Sequence, residues 1–146
     1  MALRRACPSF FIQKNEVISM SKRTLTADIR DVIKRYGGYV FSEGTLNPLH
    51  LLAKAHDMMK QYRVNAELRK KVRSVFEVRG WRAGEDLQTH VYYGRAKIKD
   101  DELASYLWNE DIFDYFNTVA PRGSYFGSHE GDGACFGWWK EDQDGR

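Results

Sequence analysis

The chain is poor in cysteine and proline, with 2 Cys and 3 Pro in 146 residues. Cys7 and Cys135 stand near opposite ends and form no Cys-x-x-Cys pair. That spacing excludes a zinc knuckle and the dense disulfide framework of small secreted domains. This use of cysteine favours a reducing compartment, and we therefore expect a cytoplasmic protein.

Long apolar runs are also lacking. The apolar residues 10–12 are followed at once by the polar residues 13–15, well short of the apolar region of a signal peptide. No stretch of the sequence approaches the roughly 20 apolar residues that cross a membrane. The sequence therefore predicts no membrane association.

What the chain does contain is ordinary globular composition. Hydrophobic residues make up 42% and charged residues 29%, which is too apolar for a disordered chain. Residues 1–20 show no hydrophobic period, and we expect a flexible arm or an upstream extension there. Residues 21–146 are predicted to form a single domain.

Apolar residues at spacings of three and four predict helices through the first two-thirds of the chain. The first helix is expected to start near Thr24, with Thr26 available as N-cap and Gly37 as a stop. Asn47 begins a second helix that runs to about Arg63, because Asn is a good cap and Pro follows it.

Asn65 is expected to cap a third helix whose apolar residues, among them Leu68 and Val72, face inward. Its charged residues are expected to face solvent and to give it one strongly basic side: Arg69, Lys70, Lys71 and Arg73. Clustered Lys and Arg attract phosphates without any sequence-reading geometry. An ordinary solvated helix face is the alternative.

The second half of the chain predicts a mixture of helix and strand. Aromatic and β-branched residues favour a strand at 89–98, and Asp100 or Asp101 caps a following helix. Asn109 is a candidate cap for another helix after a bend. Residues 124–139 predict a β-hairpin, because two aromatic segments flank a turn rich in Gly and Asp. We therefore predict an α+β fold, with about four to five helices packed with a small antiparallel sheet.

Side-chain alternation along the last strand of this hairpin places Phe136 and Trp138 on one side and Trp139 on the other. We expect Trp138 to be buried and Trp139 to lie nearer solvent, where it is a candidate anchor for a partner. The repeated Phe-Gly pairs at 126–127 and 136–137 predict glycines at points where another backbone or ring packs closely.

The hairpin turn brings His129, Glu130 and Asp132 within four residues and makes them a candidate ligand turn. A catalytic metal usually needs three well-placed ligands, and ligands on one turn rarely converge without help from elsewhere. A structural turn at Asp132-Gly133 is the simpler interpretation. We predict no metal and no cofactor.

Charge is divided unevenly along the chain. Residues 1–79 hold 16 Lys/Arg against 7 Asp/Glu, whereas residues 80–146 hold 7 against 13. This division is typical of a protein whose basic half binds a polyanion. The acidic half would then either shield the basic half or face a basic partner.

The segment 124–139, with its YFGxHxGDGxxFGWW pattern, resembles the C-terminal signature of small uncharacterised accessory proteins of bacteriophages and prophages. The resemblance covers about 16 residues. It implies a small protein that needs no catalytic residues and acts by occupying a surface of a host enzyme, a defence complex or a signalling molecule.

Our leading hypothesis is a non-enzymatic phage or mobile-element protein that binds and modulates a host protein assembly, such as a defence or nucleic-acid-handling complex. The residues expected to contact the partner are Arg69, Lys70, Lys71, Arg73 and Trp139. One alternative is direct nucleic-acid binding through the basic third helix. Another is a small enzyme or ligand-sequestering protein that uses His129, Glu130 and Asp132. The oligomeric state stays open.

Overall fold

The computed structural model describes residues 23–82 and 84–141, so the arm predicted at residues 1–20 lies outside the described residues. The helices are α1 Leu25–Tyr36, α2 Pro48–Tyr62, α3 Ala66–Ser74, α4 Leu87–Tyr92, α5 Asp101–Tyr106, a π-helical segment Leu107–Ile112 and α6 Phe113–Thr118. The strands are β1 Gly38–Ser42, β2 Phe76–Val78, β3 Ala96–Ile98, β4 Ser124–His129 and β5 Asp132–Lys140. The predicted α+β class is confirmed.

The chain groups into two compact units. Unit 1 holds residues 23–44 and 116–141 of the described chain, and unit 2 is Thr45–Tyr115. The expectation of a single domain over residues 21–146 stays a prediction.

Unit 1 contains α1 and a three-stranded antiparallel sheet in the order β1-β5-β4. Strands β4 and β5 are the predicted C-terminal hairpin. The first helix also forms as predicted and ends at Gly37, which has a φ of +88°. Its cap is Thr24, whose side chain accepts from the Ala27 N–H, and not Thr26. The Thr26 hydroxyl instead donates to the Val119 carbonyl at 2.7 Å.

One face of this sheet is built around Trp138, which is completely buried as predicted. Its indole N–H donates to the Phe116 carbonyl at 2.9 Å, so the polar atom of the ring is satisfied inside the core. The rings of Tyr39, Phe41 and Phe126 lie around it at centroid distances of 5.2, 6.1 and 4.8 Å.

Trp139, on the opposite face, is also buried, with 7% of its surface exposed, so the expectation of a ring near solvent is wrong. Its indole N–H donates to the Gly127 carbonyl at 2.9 Å. Glycines make the room for this ring, because a Cβ at Gly38 would lie 2.5 Å from Trp139 Cε3. The prediction that glycines mark close approach is confirmed at Gly137, where a Cβ would collide with the Tyr39 carbonyl oxygen, and is wrong at Gly127, where a Cβ would make only ordinary contacts.

Unit 2 is organised on α2, which packs against α3 and α4. The caps predicted for α2 and α3 are confirmed, since the side chains of Asn47 and Asn65 accept from the N–H groups of Leu49 and Leu68. Strands β2 and β3 pair antiparallel in a two-stranded sheet.

The strand predicted at residues 89–98 is wrong over its first part. Residues up to Tyr92 belong to helix α4, and only Ala96–Ile98 forms a strand. Burial of Leu87 and His90, three residues apart, gives the helix an inward face. Strand propensity is context-dependent, and tertiary contacts of α4 outweigh it here.

Asp100 caps α5 as predicted, because its side chain accepts from the Leu103 N–H at 3.0 Å. The predicted bend and second cap at Asn109 are wrong. The chain instead continues from α5 through the π-helical segment into α6. The wider turn accommodates an extra residue and leaves Leu107, Trp108 and Ile112 all buried.

Gly127 and Gly137 face each other across β4 and β5, and they provide a matched test of this packing. Gly137→Ala is expected to lower the free energy of unfolding by about 1–3 kcal/mol or more, because the new methyl group has to displace backbone. Gly127→Ala places its Cβ in ordinary contact, 3.6 Å from the Tyr125 ring, and is expected to cost less. Denaturant unfolding of both variants measures the difference, and equal losses would contradict the assigned close approach.

Candidate functional site

The candidate site in unit 2 begins with a buried carboxylate on α2. Asp57 accepts from the backbone N–H of Leu87 at 2.9 Å and from that of Gln88 at 2.8 Å. These are the first N–H groups of α4, which have no partner within their own helix. Asp86, the residue directly before the helix, makes no capping bond with its side chain. Asp57 therefore caps α4 from the neighbouring helix.

The charge of Asp57 is stabilised inside the unit. Burial acts to raise the pKa of this carboxyl group, but hydrogen bonds from His56, Gln88 and Leu87 outweigh it and hold the pKa below the ordinary value. His56 Nδ1 lies 3.0 Å from Asp57 Oδ1, and its ring is buried.

His90 is the inward-facing polar residue of α4, with 1% of its surface exposed. Its Nε2 lies 2.7 Å from Glu85 Oε1, and its Nδ1 accepts from Arg95 Nε at 3.3 Å. An arginine N–H can only donate, so this arrangement assigns the donor role to Nε2. The hydrogen bond from His90 in turn lowers the pKa of Glu85.

Trp81 and Arg73 stack beside this histidine. The Trp81 ring lies 5.3 Å from the His90 ring, and the Arg73 guanidinium lies 4.6 Å over the Trp81 ring. Arg73 also donates to the Phe76 carbonyl at 3.2 Å. One of the arginines predicted on α3 is therefore held against an aromatic ring by a cation–π contact.

Two tyrosines follow His90 and lie in the open, with Tyr92 80% and Tyr93 62% exposed. Their rings touch edge to face with centroids 4.9 Å apart. The Arg95 guanidinium lies 5.2 Å from the Tyr93 ring. We call Tyr92, Tyr93 and Arg95 the aromatic–arginine surface.

The sheet next to this surface adds positive charge. Alternation along β2 and β3 turns Phe76 and Ala96 inward and places another set of residues on the outer face. Within the strands these outer residues are Glu77 and Lys97, and the exposed cations Arg79 and Lys99 lie just beyond the strand ends. Arg79 lies near the tyrosines, since it donates to the carbonyl of Gly94, the residue directly after Tyr93, at 3.3 Å.

The four basic residues predicted on α3 do not form one exposed face, because successive helical residues are rotated by about 100°. Lys70 is exposed, and Lys71 lies 3.7 Å from Asp111. Arg69 is half-buried, and its Nε has no hydrogen-bond partner among the described residues. Among these four, Arg73 is the residue whose guanidinium lies over an aromatic ring, that of Trp81.

In the predicted ligand turn of unit 1, the side chains of His129 and Asp132 accept hydrogen bonds from the backbone of the turn itself. His129 Nδ1 accepts from the Gly131 N–H at 2.9 Å, and Asp132 accepts from the Ala134 N–H at 3.1 Å. The His129 ring also packs against Trp139, while Glu130 is exposed. In the described ranges, no group of three or more His, Cys, Asp or Glu side chains is placed to hold a metal ion.

Sequence reasoning missed the residues that build the aromatic–arginine surface around α4. A signal was present, because the adjacent pair Tyr92 and Tyr93 is followed closely by Arg95, Lys97 and Lys99. Aromatic residues interleaved with basic ones are typical of surfaces that bind single-stranded nucleic acid. Because residues 89–98 were assigned to a strand, the sequence did not predict that His90 faces inward while Tyr92 faces solvent.

Comparison with known proteins gives no family, since no protein-family profile, curated protein or solved structure matches the chain. The resemblance of the hairpin to phage proteins therefore stays a prediction. Within residues 23–82 and 84–141, no helix is long and apolar enough to cross a membrane.

The lowered pKa of Asp57 predicts an acid-sensitive contribution to stability. A carboxyl group with a folded-state pKa below its unfolded value stabilises the fold above the unfolded value, about 3.9. The contribution is lost as the pH falls through the lower folded-state pKa. Asp57→Asn is expected to cost about 1–3 kcal/mol near neutral pH, because one N–H of α4 loses its acceptor.

Urea unfolding of both proteins between about pH 7 and pH 3 checks this linkage. The stability difference between wild type and Asp57→Asn is expected to shrink at the acid end. A difference that stays constant over this range would show that the Asp57 charge does not carry the effect. Glu77→Gln, an exposed carboxylate of the same unit, serves as the control.

Proposed function

We propose that the chain is a non-enzymatic, cytoplasmic interaction protein of phage or mobile-element type, which binds and modulates a host assembly that handles nucleic acid. The observation that carries the proposal is the exposed pair Tyr92 and Tyr93 at the C-terminal end of helix α4, whose first N–H groups donate to Asp57. The phage origin has its support in the hairpin sequence at residues 124–139.

Exposed tyrosines are well suited to contacts with a partner. Single apolar residues scattered on a surface are ordinary, but these two are adjacent, touch each other and lie beside an arginine. Tyr, Trp and Arg are the residues that dominate binding energy at interfaces. A tyrosine also loses little conformational entropy on binding, because it has few rotamers.

The support beneath the tyrosines favours binding further. Asp57 fixes the start of α4, and the bonds of His90 to Glu85 and Arg95 fix its middle. A surface already held in one arrangement pays less ordering entropy when the partner arrives. Helix α4 therefore presents the tyrosines as prearranged anchors.

Charge supports an assembly that contains nucleic acid. On the outer face of β2 and β3 and just beyond the strand ends lie the exposed cations Arg79, Lys97 and Lys99, with one acidic residue, Glu77. Such a face attracts phosphate-rich partners and repels basic ones.

Affinity capture of the tagged full chain from cells of its native host tests the proposal. Tyr92→Ala combined with Tyr93→Ala is expected to reduce recovery of the assembly at least tenfold. The matched control is Tyr106→Ala, since Tyr106 is 56% exposed in the same unit but lies on α5 among acidic residues. Quantitative mass spectrometry and nucleic-acid analysis of the captured material provide the measurement.

The proposal fails if the double variant and the wild type recover the same material in the same amounts. It also fails if Tyr106→Ala removes the same partners, because exposure of any tyrosine would then be sufficient. Thermal unfolding of the variants establishes that their folds are intact, as expected for substitutions at exposed positions.

A further inference from the structure

We propose that the aromatic–arginine surface of unit 2 binds single-stranded nucleic acid directly, with bases stacked on Tyr92 and Tyr93 and phosphates on the basic outer face of β2 and β3. This inference deepens the proposed function and rests on it, because it names the component of the assembly that the surface contacts.

The tyrosine pair provides the stacking platform. The two ring planes are inclined at 85°, so the rings open in different directions and do not cover each other face to face. With 80% of its surface exposed, Tyr92 leaves its ring open to a base. The Arg95 guanidinium packs at Tyr93 and places a positive charge next to the platform.

The side chains proposed to bind the phosphates of the nucleic acid follow the tyrosines in the chain or contact the residue between them and Arg95. Arg79 reaches the Gly94 carbonyl, and Gly94 separates Tyr93 from Arg95 in the chain. Lys97 is 75% exposed and lies 3.8 Å from Glu77, a loose exposed pair that a phosphate can replace at low cost. Lys99, directly after β3, is also exposed.

Single strands fit this arrangement better than duplex. A base inside a duplex is stacked on its neighbours, so exposed protein rings gain stacking only from unstacked bases. Reading a duplex in the major groove requires a helix or a two-stranded ribbon that reaches into the groove. Helix α4 has only 6 residues, and β2 and β3 have 3 each.

Nucleic acid fits better than an acidic peptide for a related reason. An acidic peptide would satisfy the cations, but it would leave the open faces of Tyr92 and Tyr93 without matching planar groups. Every nucleobase has a planar face, so a strand uses both features and does so with little sequence preference. The acidic peptide is one arm of the test.

The experiment measures fluorescence anisotropy of labelled oligonucleotides titrated with the full chain. The strands are about 20 nucleotides long, which exceeds the roughly 4–16 nucleotides covered by one OB-fold. Oligo-dT, oligo-U, a duplex of matched length and a labelled poly-glutamate peptide are compared at low salt. Binding to at least one single strand is expected to be about tenfold or more tighter than binding to the duplex or the peptide.

Matched variants assign the two parts of the surface. Tyr92→Ala with Tyr93→Ala is expected to weaken single-strand binding by about tenfold or more, whereas Tyr106→Ala leaves it unchanged. Lys97→Ala with Lys99→Ala is expected to flatten the dependence of log affinity on log salt by about 1.4, since each phosphate contact on a single strand contributes roughly 0.7. Arg122→Ala, an exposed cation of unit 1, is the control for charge.

Three outcomes overturn the inference. They are equal affinity for the duplex or poly-glutamate, binding that does not depend on the two tyrosines, and the absence of binding to either strand. If no strand binds but cellular capture still depends on Tyr92 and Tyr93, the inference falls and the proposed function stands, with a protein as the direct contact. If neither assay depends on the tyrosines, the inference and the proposed function are both wrong.

Discussion

A single buried carboxylate determines where helix α4 begins, and the candidate site depends on that helix. Asp57 supplies from α2 the acceptors that the backbone N–H groups of Leu87 and Gln88 require. A buried N–H group without an acceptor costs about 1–3 kcal/mol, enough to reverse a local preference for strand over helix. Once the helix forms, positions 90 and 92 differ by about 200° around its axis. His90 then points into the unit while Tyr92 points to solvent.

Arg95 links the interior of unit 2 to its surface, because different parts of its guanidinium serve different partners. Its Nε donates to the buried His90 ring, while the plane of the group lies at the exposed Tyr93 ring. A lysine has no planar group and cannot make both contacts in the same way. The same side chain therefore fixes the histidine and sets the electrostatic character of the tyrosine platform, so structure and candidate function are coupled at one residue.

Sequence predicts the parts of this fold that depend on neighbours in the chain. The caps at Asn47, Asn65 and Asp100 act within three residues, and each lies where local rules place it. Helix α4 does not follow such rules, because its cap, Asp57, lies 30 residues before Leu87. The burial of Trp139 is equally non-local. It depends on Gly38, about a hundred residues earlier, which leaves space for the indole on a neighbouring strand. For the candidate site, sequence identified Arg73 and the general positive charge but not the two tyrosines. Their exposure becomes visible only when the segment is known to be helical.

Unit 2 also shows why net charge alone is a poor guide to a binding surface. Residues 69–99 carry nine Lys/Arg against three Asp/Glu, whereas residues 100–114 carry six Asp/Glu and no Lys/Arg. The charges of these two segments cancel, so the net charge of +3 for the whole chain reveals neither of them. Exposed tyrosines occur in both segments, since Tyr92 and Tyr93 belong to the first and Tyr106 to the second. Aromatic exposure is similar in the two places, but the local potential has the opposite sign, and phosphate is attracted to only one of them. The combination of open rings with neighbouring cations, and not either feature alone, distinguishes the surface on α4.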